Sequence, residues 1–336
     1  MACAPSMDRL ERLNAWLAEV LPEHRLRLEP ASSDASFRRY FRVRSDGDTW
    51  IVMDAPPEKE ACEPFVRVAG LLAQAGVHVP AILAQDTAQG FLLLSDLGTQ
   101  TYLDILDDRN ADALFRDAVE ALLKWQRATR PGVLPPYDAV LLKREMELFS
   151  TWYVGRHLGV ALAPRQREAL EALFRLLVDS ARAQPQVYVH RDYMPRNLML
   201  SEPNPGVLDF QDAVEGPITY DLVSLFRDAF VSWPEERVLD WTIRYWEKAR
   251  RAGLPVEADF SAFYRAFEWM GLQRHLKVLG IFARLHYRDG KPQYLADTPR
   301  FMGYARAVAQ RYRELAPLAR LLDELEGREL RAGYSF

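Results

Sequence analysis

Residues 187–200, VYVHRDYMPRNLML, with GVLDFQDA close behind at 206–213, constrain this chain of 336 residues more than any other stretch. The apolar, β-branched run 187–189 predicts a short strand that delivers His190, Arg191 and Asp192 at its end. Asn197 follows Asp192 by five positions, the apolar triplet 198–200 predicts a second strand, and 207–208 a third that presents Asp209. Pro203-Asn204-Pro205-Gly206 invites a hairpin. Pairing of these strands is expected to bring two carboxylates and one amide together.

Phosphoryl transfer asks for such a set, because its transition state needs positioning and charge neutralisation more than covalent help. In that chemistry Asp192 accepts the proton of the attacking hydroxyl. Asn197 and Asp209 hold Mg²⁺ against the phosphates of ATP, since hard cations prefer oxygen ligands. An HxD pair by itself is common, and His190 alone reads as a structural histidine. The order His190, Asp192, Asn197, Asp209 with apolar strands between is far more specific, and it follows the catalytic-loop order of protein kinases.

These motifs resemble the aminoglycoside phosphotransferase superfamily of small-molecule kinases, which carry H-x-D-x-x-x-x-N and then I/L-D-F/W-x-D. Here they stand as His190-Arg191-Asp192 with Asn197, and as Leu208-Asp209-Phe210-Gln211-Asp212. A further family feature, Gly-Pro-x-x-Tyr-Asp-Leu, is Gly216-Pro217-Ile218-Thr219-Tyr220-Asp221-Leu222. More narrowly, SFRRYFRV, IVMDAPP, FLLLSDLG and VLDFQDAVEGPITYDLVSLFRD are similar to those members that phosphorylate amino sugars at the anomeric carbon in bacterial cell-wall recycling. The resemblance covers nearly the whole chain. It implies an α+β, protein-kinase-like two-lobe fold: a small antiparallel-sheet lobe (residues 1–97) and a larger, mainly helical lobe (98–336). It also implies ATP as co-substrate, Mg²⁺ as cofactor, an amino sugar as acceptor, and support of the catalytic loop by His190 and Asp221. Asp221 heads a helix, so an N-terminal cap is the plainer alternative.

Composition excludes other classes. A net charge of −4 offers no basic face for nucleic acid. The cysteines, Cys3 and Cys62, make neither a disulfide framework nor a CxxC zinc site. Asp8, Arg9, Glu11 and Arg12 fall where a signal peptide needs its apolar core, and no uncharged run approaches the ~18 residues of a membrane span. A cytoplasmic monomer is expected, with neither nucleic-acid nor membrane partners.

Along the chain, Leu10, Leu13, Leu17, Val20 and Leu21 recur at helical spacing. Strands are expected at 25–29, 37–44 and 50–54, then a helix at 60–75 stopped by Gly76, and strands at 81–86 and 91–95. From residue 111 the pattern turns helical, at 111–129, 139–154 and 164–183, and after the catalytic stretch at 220–230, 235–252 and 260–286. Backbone groups of Ser95, Asp96 and Leu97, the equivalent of the kinase hinge, would hydrogen-bond adenine. The glycine-free loop 30–36 takes the place of the kinase phosphate loop, with Ser33 a candidate contact.

The third strand departs from the kinase template: Met53 stands where a lysine contacts the α- and β-phosphates. Arg38 or Arg39 is expected to substitute, because a guanidinium can grip phosphate through two parallel hydrogen bonds. A nucleotide-binding pseudokinase is the alternative. Three intact groups, Asp192, Asn197 and Asp209, argue against it.

For the acceptor, residues 222–336 carry 19 Lys and Arg against 15 Asp and Glu, while the whole chain is at −4. A polycationic aminoglycoside should be steered by an acidic pocket, so a neutral or anionic sugar fits better. Asp212 and Arg274 are the nominated acceptor contacts. His275 and Lys277 could also meet a lactyl carboxylate, and Trp233, Trp241, Trp246 or Trp269 could stack on a sugar ring. Another small-molecule hydroxyl, on an amino alcohol, another sugar or an aminoglycoside, is the second reading. A protein kinase fits poorly: no Ala-Pro-Glu follows Asp209, and the chain passes from Phe210 almost directly into Gly216-Pro217.

Overall fold

The computed structural model describes residues 8–22, 26–33 and 37–327, apart from the side chains of Ser32 and Ser33. In chain order they form α1 (Arg9–Val20), β1 (Arg27–Ser33), β2 (Arg39–Ser45), β3 (Asp48–Asp54), α2 (Glu63–Gln74), β4 (Ile82–Asp86), β5 (Phe91–Ser95), α3 (Tyr102–Ile105), α4 (Ala111–Arg127) and α5 (Ala139–Leu148). A π-helical segment, Phe149–His157, continues from α5, followed by α6 (Pro164–Ala183), β6 (Gln186–Val189), β7 (Leu198–Met199), β8 (Gly206–Val207) and β9 (Val214–Pro217). The chain then runs through α7 (Tyr220–Phe226), α8 (Glu235–Arg251), α9 (Phe260–Tyr287), α10 (Thr298–Arg311) and α11 (Ala316–Leu325). Two compact units result. One comprises the chain to Ile105 with Asn197–Asp212, the other Leu106–Arg196 with the chain from Ala213.

The first unit is built on a five-stranded antiparallel sheet in the order β1-β2-β3-β5-β4. Asp8 and Glu11 close a capping box at the start of α1. The helix lays Leu13, Trp16 and Leu17 on Val43, Val52, Phe91 and Leu93 of the sheet, while Leu10, which shares their periodicity, stays exposed. Arg9 ties the helix down through Asp54, which is fully buried at the end of β3. The hairpin β7-β8 belongs to this unit: Met199 bridges Thr101, Gly206 bridges His78, and Phe210 packs 4.8 Å from Phe65. A β-carbon on Gly206 would lie 2.7 Å from Leu97 Cδ1 and 2.8 Å from Ser201 Oγ, so any larger residue there requires those side chains to shift.

The second unit is organised by α9, against which α5, the π-helical segment, α6, α7, α8 and α10 all pack. Every residue from Phe267 to Gly280 is buried, polar ones included, as befits a helix surrounded on all sides. Gly280 allows the closest approach, since a β-carbon there would lie 2.3 Å from the carbonyl carbon of Leu148. Just beyond Leu148 the helix expected over 139–154 widens into the π-helical segment.

One local expectation is corrected here. The strand 187–189 does not pair with the two that follow it. β6 pairs antiparallel with β9, from Gln186 opposite Pro217 to Val189 opposite Val214, and β7 pairs with β8. Val187, Tyr188 and Val189 are buried; β9 pairs with their backbone within the helical unit, while the Tyr188 N–H donates to Thr129 Oγ1 at 2.8 Å. The strand Val214–Pro217 carries Glu, Gly and Pro, which is why its pattern did not announce it.

Candidate active site

In the first unit, the turn after β8 places Asp209 at φ +60°, a left-handed conformation uncommon for a residue with a β-carbon. Two side-chain amides reach its carboxylate: Gln211 Nε2 donates to Oδ1 at 2.8 Å and Asn197 Nδ2 to Oδ2 at 3.3 Å. Leu208 N–H donates to the Asn197 carbonyl at 2.9 Å, so the backbone of the hairpin fixes the spacing of the two side chains. Asn197 and Asp209 are half-buried. One carboxylate and one amide beside each other, both hard oxygen donors on a rigid hairpin, fit Mg²⁺ that takes its remaining ligands from phosphate and water. Among the described residues no group of three or more His, Cys, Asp or Glu side chains could hold a metal by itself.

In the second unit, His190, Arg191 and Asp192 follow β6. Asp221, buried at the head of α7, accepts from the His190 N–H at 2.7 Å and the Arg191 N–H at 3.0 Å. Burial pushes the Asp221 carboxyl up to about 7, although these two hydrogen bonds oppose the shift. The Asp192 N–H donates to His190 Nδ1 at 3.2 Å, which makes Nδ1 the unprotonated ring nitrogen. Arg191 sits at φ +78°. Its guanidinium meets Glu145 Oε1 at 2.6 Å, and Lys277 meets the same oxygen at 2.9 Å. Tyr137 O–H donates to the other oxygen of Glu145, and Lys277 also donates to Tyr220 Oη at 3.0 Å. Burial raises the Glu145 carboxyl, but the adjacent Lys277 and Arg191 more than offset this and hold it below its ordinary range.

The expected nucleotide contacts are placed as follows. Ser33 ends β1, and its side chain lies outside the described residues, as does the loop 34–36. Met53 is fully buried opposite Tyr40, so β3 presents no cation at that position. Arg39 is taken up by Asp54, with Nε 2.9 Å from Oδ2, and leaves half its side chain in solvent. Arg38 is buried, and its Nη2 meets Glu60, just ahead of α2, at 3.0 Å. Ser95 closes β5, its Oγ accepting from the Ala81 N–H at 2.8 Å. Asp96 grips Arg42 through both oxygens, at 2.6 and 3.0 Å, and accepts from the Gly98 N–H at 2.9 Å. Leu97 is half-buried.

The nominated acceptor contacts fall in separate units: Asp212 is exposed in the first, Arg274 buried in the second. The charge of Arg274 acts on Asp221 and on Asp228, another buried carboxylate, which burial raises to about 6. His275 is fully enclosed, and burial holds its pKa well below the ordinary value. Trp241 is core, edge-on to Phe115 at 4.7 Å, and Trp246 donates to the Glu257 carbonyl at 2.7 Å. Glu145 went unread in sequence because nothing local marks it: its charged partners stand 46 and 132 positions away, at Arg191 and Lys277.

A five-stranded antiparallel sheet in one unit, a helical second unit and a catalytic-loop motif divided between them are the parts of a kinase-like phosphotransferase. A choline/ethanolamine kinase family protein from Mesorhizobium loti has a similar fold, with a TM-score of 0.62 over 93% of this chain and all of that one, at 15% identity. The phosphotransferase enzyme family model matches residues 27–258, and the chain belongs to that family. It is 57% identical over 328 residues to the N-acetylmuramate/N-acetylglucosamine kinase of Pseudomonas putida, covering 95% of this chain and 97% of the relative. It is 52% identical over 336 residues to the kinase of the same name from Neisseria meningitidis, covering 98% and 100%.

Proposed function

We propose that this phosphotransferase carries the γ-phosphoryl group of ATP to the anomeric C1 hydroxyl of N-acetylmuramate and N-acetylglucosamine, giving sugar 1-phosphates for peptidoglycan recycling in the cytoplasm. The observation that carries the acceptor assignment is the near full-length identity, above half, to kinases named for these two sugars.

In this reading the first unit serves the nucleotide. Arg38, buried and oriented by Glu60, takes the place of the lysine missing at Met53. Asn197 and Asp209 would hold Mg²⁺, which when bound neutralises charge on the phosphates. The second unit serves the acceptor. Asp192 takes the proton of the C1 hydroxyl, which is more acidic than an ordinary alcohol, so a carboxylate suffices as acceptor late in transfer. No covalent enzyme intermediate is required.

The test is ATP consumption with Mg²⁺ against N-acetylmuramate, N-acetylglucosamine, glucose, choline and kanamycin. Turnover confined to the two amino sugars, with a product that has lost its reducing end, is expected. Turnover of choline or kanamycin in preference would overturn the acceptor, and nucleotide binding without any transfer would favour a pseudokinase.

A further inference from the structure

The Asp192 loop rests on more buried charge than its backbone needs. Glu145 from α5, Arg191 beside the catalytic residue and Lys277 from the centre of α9 form one cluster, completed by the hydroxyls of Tyr137 and Tyr220. Glu145 and Lys277 are 6% and 8% exposed. Arg191 also lies 5.6 Å above the Tyr137 ring, so its guanidinium is held by charge on one side and by an aromatic face on another.

Stability alone is a poor reason for such a cluster. Buried ion pairs gain little over well-packed apolar side chains, because desolvation cancels most of their attraction. What they do supply is a unique geometry, since a buried charge has few places where it can be satisfied. Here the geometry is passed to Asp192 by the shortest route, the peptide bond from Arg191. That residue is in a left-handed conformation which only its surroundings can enforce. Asp221 fixes the N–H groups of His190 and Arg191, while Glu145 fixes the Arg191 side chain. Lys277 holds Glu145 in place from the opposite helix.

We infer that Glu145 and Lys277 are positioning residues for the transfer step, acting on Asp192 through Arg191. This rests on the reading of Asp192 as the proton acceptor. Because neither residue touches ATP or sugar in this account, their loss lowers kcat and leaves both KM values alone.

The experiment compares Glu145→Gln, Lys277→Met, Lys277→Arg and Asp192→Asn by steady-state kinetics, and repeats Glu145→Gln in the Asp192→Asn background. A fall in kcat of about 30-fold is expected for Glu145→Gln and Lys277→Met, with KM for ATP and for the sugar within about twofold of the parent, and Lys277→Arg recovering most of the loss. In the Asp192→Asn background Glu145→Gln should cost almost nothing further. Should Glu145→Gln not fold, Tyr137→Phe removes only the hydroxyl on Glu145 and should show a milder loss of the same pattern. Unchanged kcat in folded Glu145→Gln or Tyr137→Phe, or losses that multiply in full with Asp192→Asn, would overturn the inference and leave the role of Asp192 standing. Full activity of Asp192→Asn would instead overturn the reading on which the inference rests.

Discussion

The Asn197–Asp209 hairpin and the Asp192 loop are held in opposite ways. Among the contacts of Asp209 are two neutral amide donors on a half-buried turn, beside which the proposed function places the metal. The Asp192 loop is clamped by buried carboxyl groups: Asp221 on the backbone of two residues, Glu145 on the side chain of one of them. A ligand for a metal that arrives with the nucleotide gains from adaptable partners. A proton acceptor must be in place before the hydroxyl arrives, and small displacements there cost rate.

The comparison is tested most severely by Asp192→Asn. The isosteric amide keeps the loop packing but cannot take a proton, so kcat should fall by about 10³-fold or more with little change in melting temperature, measured by coupled assay and by thermal unfolding. Retained activity would mean that the clamped loop is not the catalytic one.

Next in size is Asp209→Asn, expected to lower activity by about 10²-fold and to raise the Mg²⁺ concentration needed for half-maximal rate. A loss of rate with unchanged Mg²⁺ dependence would break the assignment of the hairpin to the metal.

Within the first unit, Arg38→Ala and Arg39→Ala separate a nucleotide contact from a structural ion pair. Arg38→Ala should raise KM for ATP about tenfold, whereas Arg39→Ala, which removes a half-exposed partner of Asp54, should cost about 1 kcal/mol of stability or less and leave KM near the parent value. Unchanged KM in both variants would leave the substitute for the missing lysine to be found elsewhere.

The smallest effect concerns pH. Asp221 binds its proton up to about pH 7 in the folded protein, well above the ordinary carboxylate range. The stability it contributes is therefore fully present below about pH 4 and is lost as pH rises through 7, the unfolded chain having released its proton earlier. The melting temperature of Asp221→Asn should fall by a few degrees less than that of the parent between pH 5 and 7.5. An identical pH slope would show that Asp221 is not the titrating part of the clamp.

The strands and helices that carry this architecture were legible because their signals are local. Short apolar runs marked β2 to β5, and Gly76 marked the end of α2. The family motif was legible for the same reason, since His190, Asp192, Asn197 and Asp209 lie within a short span of chain. The partner of β6 was not, because β9 has the composition of a loop and becomes a strand only where burial demands that the backbone of β6 be paired.

The order of chemistry-bearing residues, the kinase-like class and the absence of a lysine at Met53 were determined by the sequence alone, each being a matter of residue type at a spacing. Only the tertiary structure decided which arginines Asp54 takes up, which one Glu60 orients, and that Glu145 and Lys277 stand behind Arg191. A charged side chain looks the same in sequence whether it is solvated or buried. Its role is set by what lies across the fold, where desolvation makes a specific partner obligatory.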